Sequence, residues 1–172
     1  MIGRLMVILM PGVGLLHPSL AASERSEDER RMKEQVIALS RGAGAVADLR
    51  IELMDGRMAA SQHYRIADGK IVKQEWVSPG SPEQHDEWAV TDEAVRALLR
   101  DLVDKQYWTF EGTRFIPDNT VFLFRLYYKD LQSVDYRCDV DEDEASPQRS
   151  AIRSALLTFV SGASPIELPG TR

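Results

Sequence analysis

Histidine is the side chain best suited to proton exchange near neutral pH, and this sequence places two of them, His63 and His85, beyond its first twenty residues. His85 lies in Pro82-Glu83-Gln84-His85-Asp86-Glu87, where the acids could favour its protonated form or where, with Asp86, it could hold a metal. Adjacent residues rarely face one metal together. His85, Asp86 and Glu87 therefore become the site of a small hydrolase only if the fold brings them into one pocket. His63 falls beside Tyr64 on the side of a strand that alternation assigns to solvent, so it reads first as a surface histidine and second as a ligand or general base. A serine nucleophile needs a sharp turn with a histidine and an acid brought to it, and no Gly-x-Ser-x-Gly elbow is present. Any two carboxylates could meet in the fold as a glycosidase pair does, but sequence alone assigns no catalytic residue.

The densest acidic run is Asp139-Val140-Asp141-Glu142-Asp143-Glu144. Asp139, Asp141 and Asp143 alternate as oxygen ligands do at the start of a calcium-binding EF-hand loop. The pattern then departs, with Glu144 where the turn needs glycine and Ser150 where a bidentate glutamate should close the site. Mutual repulsion favours a solvated acidic loop, and the helix start that follows attracts negative charge in any case. Gly42-Ala43-Gly44 lacks the third glycine and the basic residue of a phosphate loop, so no cofactor is implied. Trp76, Trp88, Tyr107 and Trp108 could line a ligand groove, but at these spacings they read first as core. Trp88 is the exception: it follows a polar stretch with no evident core partner, and if exposed it is the candidate partner-contact residue.

These residues must be positioned by elements that the hydrophobic pattern sets out. Leu49, Ile51 and Leu53 alternate with Arg50 and Glu52 as in a half-buried strand, and Asp55-Gly56 then reads as a hairpin turn. A strand from Met58 to Ile66, an Asp68-Gly69 turn and a strand from Ile71 to Val77 complete a meander. Val36 to Ser40 is compatible with helix or strand; strand is preferred because Gly42 and Gly44 look like a turn into the next one. Ser78 to Glu87 is proline-punctuated and reads as a surface loop. Thr91 caps a helix with Val95, Leu98, Leu99, Leu102 and Val103 on one stripe, whose end Tyr107, Trp108 and Phe110 plug into the core. Thr120 to Tyr128 and Leu131 to Cys138 form a strand pair turning at Lys129-Asp130, and Ser146-Pro147 opens a last helix that stops at Gly162. The expected fold is α+β: an antiparallel sheet of about five to six strands, a meander plus a hairpin, with two helices on one face.

Met1-Ile2-Gly3-Arg4, the apolar run Leu5 to Leu16 and the exit Ser19-Leu20-Ala21-Ala22 have the form of a secretory signal peptide, residues 1–22, cleaved after Ala21 or Ala22. The run is shorter than the roughly 20 residues needed to cross a bilayer and is broken by Pro11-Gly12, so no stable membrane insertion is expected after cleavage. Residues 23–34 form a charged lead-in, solvated or a short helix, with Ser26 and Glu29 at the capping-box spacing that favours a helix starting there; 35–162 form a single domain, and 163–172 a disordered tail. The net charge of −6 with no basic stretch excludes a nucleic-acid partner. Cys138 is the only cysteine, so export to the periplasm or the medium brings no internal disulfide, and a small buried hydrophobe is its expected role.

Val36 to Gly42, Leu49 to Leu53 with Asp55-Gly56, the capped helix ending Tyr107-Trp108-Thr109-Phe110, and the paired strands and helix after Pro147 resemble small secreted bacterial α+β domains. Their order is similar to that of emfourin-type protease inhibitors. The resemblance covers roughly residues 35–160 and implies a fold more than an activity; some such domains carry a paired-cysteine turn where this sequence has Gly42-Ala43-Gly44-Ala45. The function expected is an exported, non-catalytic module that binds a protein, as an inhibitor or envelope accessory factor. The alternative is a small extracytoplasmic hydrolase using carboxylates or His85, Asp86 and Glu87.

Overall fold

Met32, Val36 and Leu39 are spaced four and three residues apart and all lie essentially out of solvent, which is the periodicity of a helix. In the computed structural model, which describes residues 18–57, 60–76, 84–110, 120–133, 135–139 and 146–162, they form the buried stripe of helix α1 (Pro18–Ser40). The preference for a strand at Val36 to Ser40 is therefore corrected. Those four consecutive apolar residues carry no period by themselves, and the stripe becomes visible only when Met32 is included. Gly42, expected in a strand-to-strand turn, ends the helix instead. Gly42 has φ of 91°, its N–H bonds the Leu39 carbonyl at 3.0 Å, and the Ala43 N–H bonds the Ala38 carbonyl at 2.9 Å, the two bonds of a Schellman stop.

Strands β1 (Leu49–Arg57), β2 (Ala60–Ala67), β3 (Lys70–Trp76) and β4 (Gln84–Ala89) precede helix α2 (Asp92–Asp104); β5 (Val121–Tyr128), β6 (Leu131–Gln132) and β7 (Tyr136–Asp139) precede helix α3 (Pro147–Gly162). All pairings are antiparallel, in the order β4-β3-β2-β1-β5-β6, with β7 continuing beside β5. The α+β class and the sheet of about six positions are as expected, with three helices among the described residues in place of two because the charged lead-in is helical.

Turn chemistry accounts for the register of β2 with β3. Asp68 and Gly69, both at positive φ, link Ala67 to its partner Lys70, as a tight two-residue hairpin requires. Asp55-Gly56 does not turn. Both residues stay in β1, paired with Gln62 and Ser61 on one side and Phe122 and Val121 on the other. The pairing with β2 continues to Arg57 and Ala60, residues 58 and 59 lie outside the described residues, and the Asp55 carboxylate meets Arg153 of α3 at 3.0 Å. The strand expected from Leu131 to Cys138 is interrupted: Ser133, buried, bonds the Leu126 N–H through its hydroxyl at 2.9 Å and the Leu126 carbonyl through its own N–H at 2.8 Å.

One face of the sheet carries the core. Leu49, Ile51, Leu53, Tyr64, Ile66, Ile71, Phe122, Phe124, Leu126 and Tyr128 are buried there against α1, the Val95–Leu102 stripe of α2, and Ile152, Leu156 and Val160 of α3. Tyr107 and Phe110 are buried as expected, Tyr107 edge-on to Tyr136 at 5.6 Å and Phe110 edge-on to Phe124 at 5.4 Å. The caps also form as read: Thr91 Oγ1 accepts from the Ala94 N–H at 3.2 Å, and Ser146 Oγ from the Arg149 N–H at 3.4 Å. No helix among the described residues is long and apolar enough to cross a membrane.

Candidate functional site

Since side chains alternate along a strand, burying Leu49, Ile51 and Leu53 turns Arg50 and Glu52 to the face away from the helices. The same alternation sends His63 and Arg65 of β2, Val72 and Gln74 of β3, and Arg125 and Tyr127 of β5 to that face. Register then sets Glu52 between Arg65 and Arg125 and sets Arg50 directly beside Tyr127.

The resulting contacts form one polar array. Arg125 Nε donates to Asp135 at 2.5 Å, and its Nη1 donates to the Tyr127 hydroxyl at 2.8 Å. That hydroxyl donates in turn to Glu52 at 2.9 Å, while Arg50 meets Glu52 at 3.3 Å and lies over the Tyr127 ring, 3.8 Å from its centroid. The Asp135 hydrogen bond, then that of Tyr127, holds the Arg125 guanidinium more firmly protonated than usual. On an acidic chain this face carries Arg50, Arg65, Lys70, Arg125 and Arg137 against Glu52, Glu87, Asp135 and Asp139.

Beside the array, Glu52, His63, Arg65, Val72 and Gln74 line a concavity of about 330 Å³. His63 is half-buried, its Nε2 is 2.9 Å from the hydroxyl of Ser61, and burial pushes the ring below the ordinary histidine pKa. A hydrogen-bonded serine and histidine are two parts of a hydrolytic nucleophile. Here the serine is only 8% exposed, and among the described residues no carboxylate bonds the other ring nitrogen.

Of the other residues singled out from sequence, Asp86 and Glu87 do not converge. Residues 84–87, expected in a surface loop, belong to edge strand β4, where His85 pairs with Gln74, Asp86 with Lys73 and Glu87 with Val72. Asp86 and Glu87 therefore stand on opposite faces, and Glu87 is ion-paired with Lys70. Trp88 pairs with Ile71, is half-buried and packs against the core, so the expectation that it lacks a core partner is corrected. Asp139 ends β7 opposite Val121, while Asp141 and Asp143 lie outside the described residues. Cys138 pairs with Phe122 in β7. Among the described residues no three histidine, cysteine, aspartate or glutamate side chains gather as a metal site.

Sequence reasoning assigned no role to Arg50, Glu52, Arg65, Arg125 and Tyr127; the signal was present for Arg50, Glu52 and Arg65 as the polar phase of alternating strands, and was obscured for Arg125 and Tyr127 by the largely apolar run from Val121 to Tyr128. Compared with known proteins, the chain matches no family model, no curated protein and no solved structure.

Proposed function

We propose that this chain is an exported, non-catalytic module that binds another protein through the open face of its sheet. The observation that carries this reading is the array of Arg50, Glu52, Arg125 and Tyr127, in which each polar side chain is held by a neighbour on the face opposite the helices. Arginine and tyrosine are the residue types that most often anchor protein interfaces, and side chains already fixed lose little rotamer freedom on docking. The signal-like N-terminus supports export.

The test is capture of partners from envelope and secreted fractions with C-terminally tagged chain, followed by binding of the recovered partner to purified variants. Arg50→Glu with Tyr127→Ala should abolish binding, whereas Arg41→Glu, an exposed change just past the end of α1, should leave it intact. A partner retained by the open-face variant would overturn the assignment of this face.

A further inference from the structure

The donors bordering the concavity differ from the rest of the array in being uncommitted. Arg125 is bound to Asp135 and Tyr127, and Arg50 is stacked on Tyr127 and paired with Glu52. Arg65, exposed beside them, makes no hydrogen bond or ion pair with any described residue, and neither does the Gln74 side chain. His63 uses Nε2 on Ser61 and leaves Nδ1 without a described partner. Glu52, the one carboxylate lining the space, already receives the Tyr127 hydroxyl and is paired with Arg50. What is left free in the concavity is therefore a permanent cation, an amide that can turn its NH2 inward, and an imidazole nitrogen that donates when the Ser61 hydroxyl gives its proton to Nε2.

A planar guanidinium fork beside an amide donor suits the two oxygens of a carboxylate. The volume, about 330 Å³, is at the small end of ligand pockets and fits one side chain better than a cofactor. We infer that the concavity between β1, β2 and β3 receives the carboxylate of an aspartate or glutamate side chain presented by the protein partner, with Arg65 as its main ligand and Gln74 and His63 as flanking donors. This rests on the proposed use of the open face. Beside the concavity Arg50, Arg65 and Arg125 outnumber Glu52 and Asp135, and this local positive balance on an acidic chain is the complementarity such a partner would meet.

The test is an NMR titration of the 172-residue chain with a capped Gly-Glu-Gly tripeptide, against the neutral isostere Gly-Gln-Gly and free succinate. The expected result is saturable shifts of the Arg65 Nε–H and Gln74 side-chain amide with the glutamate peptide, with a Kd on the order of 1–10 mM. The glutamine peptide should leave them unmoved, and Arg65→Gln should weaken binding about tenfold or more, as loss of a charge-assisted bond does. Arg65 is exposed, so that variant should fold, which its unchanged amide spectrum would verify. Equal shifts with both peptides, an unaffected Arg65→Gln variant, or the absence of saturation would overturn the inference. Succinate binding tenfold more tightly than the peptide would reassign the pocket to free small acids and overturn the protein side chain as its occupant. The two readings fail separately: partner binding that needs Arg50 and Tyr127 without any tripeptide response refutes the pocket alone. A tripeptide response with partner binding indifferent to the open-face variant refutes the docking face.

Discussion

Arg50 lies over the ring of Tyr127, its guanidinium carbon 3.8 Å from the ring centroid, and the two residues are direct partners across the β1–β5 ladder. Their neighbours fix both ends of the pair, Glu52 holding Arg50 at 3.3 Å and the Tyr127 hydroxyl at 2.9 Å. At a half-exposed site a cation over a ring contributes about 0.5–1 kcal/mol. A double-mutant cycle with Arg50→Ala and Tyr127→Ala, read by urea unfolding, should return a coupling of about that size. Tyr127→Phe should keep the stack while stranding Arg125 Nη1 and Glu52, so its cost should come from hydrogen bonding, about 0.5–1.5 kcal/mol. A coupling indistinguishable from zero would show that the stack is fortuitous.

Arg96 ties α2 to the end of α1. Its Nη1 donates to the Leu39 carbonyl at 2.6 Å and its Nη2 to the Gly44 carbonyl at 3.0 Å, satisfying acceptors at a helix terminus where positive charge is also favoured by the dipole. Arg96→Ala should cost about 1.5–3 kcal/mol, the range for hydrogen bonds to a charged group. Arg96→Lys retains the charge but cannot reach both carbonyls with one fork, so it should recover less than half of the loss. Amide exchange at residues 36–40 should rise in both variants. Unchanged exchange there, whatever the global stability, would show that the fork does not hold the helix end.

How far the sequence made this legible depends on whether a local signal was sufficient. Asp68-Gly69, Thr91 and Ser146 announced their structures because the chemistry of each turn or cap lies within four residues. Val36 to Ser40 was misread because its informative partner, Met32, lay inside a charged stretch set aside as a lead-in. Asp55-Gly56 was misread because a turn-forming pair can be held in a central strand when neighbours pair on both sides. The candidate site was legible only in its components. Polar phases of strands can be read off β1 and β2, but that Arg65, Glu52 and Arg125 lie in one row depends on β1 running between β2 and β5, which no local pattern reveals.

Trp88 now carries a different expectation. With Ile71 as its ladder partner and the core beneath it, most of the residue is withheld from solvent. Trp88→Ala should lower stability by about 1–3 kcal/mol, less than for a fully buried aromatic, and Trp88→Phe should recover most of it. Compared at equal folded fraction, both variants should bind the partner as the parent does. Loss of binding by fully folded Trp88→Phe would return this residue to the contact surface.

His63 couples stability and binding to pH with opposite signs. Burial holds its folded-state pKa below the ordinary 6.5, so as pH falls through that value the unfolded chain takes up a proton that the folded chain resists. The stability present above 6.5 is lost on acidification until the folded ring is itself protonated, and His63→Asn should flatten this part of the stability profile. The ring titration followed by NMR should have its midpoint below 6.5, with Arg65 and Glu52 the charged groups lining the same concavity. A carboxylate bound there would favour the protonated ring and raise the midpoint. Reciprocally, the capped glutamate peptide should bind more tightly as pH falls toward that midpoint, until its own carboxyl protonates near about 4.3. In His63→Asn this tightening should vanish while Arg65-dependent binding at neutral pH persists. A midpoint at or above 6.5 in the free chain, or tightening that survives the substitution, would remove His63 from the pocket's chemistry.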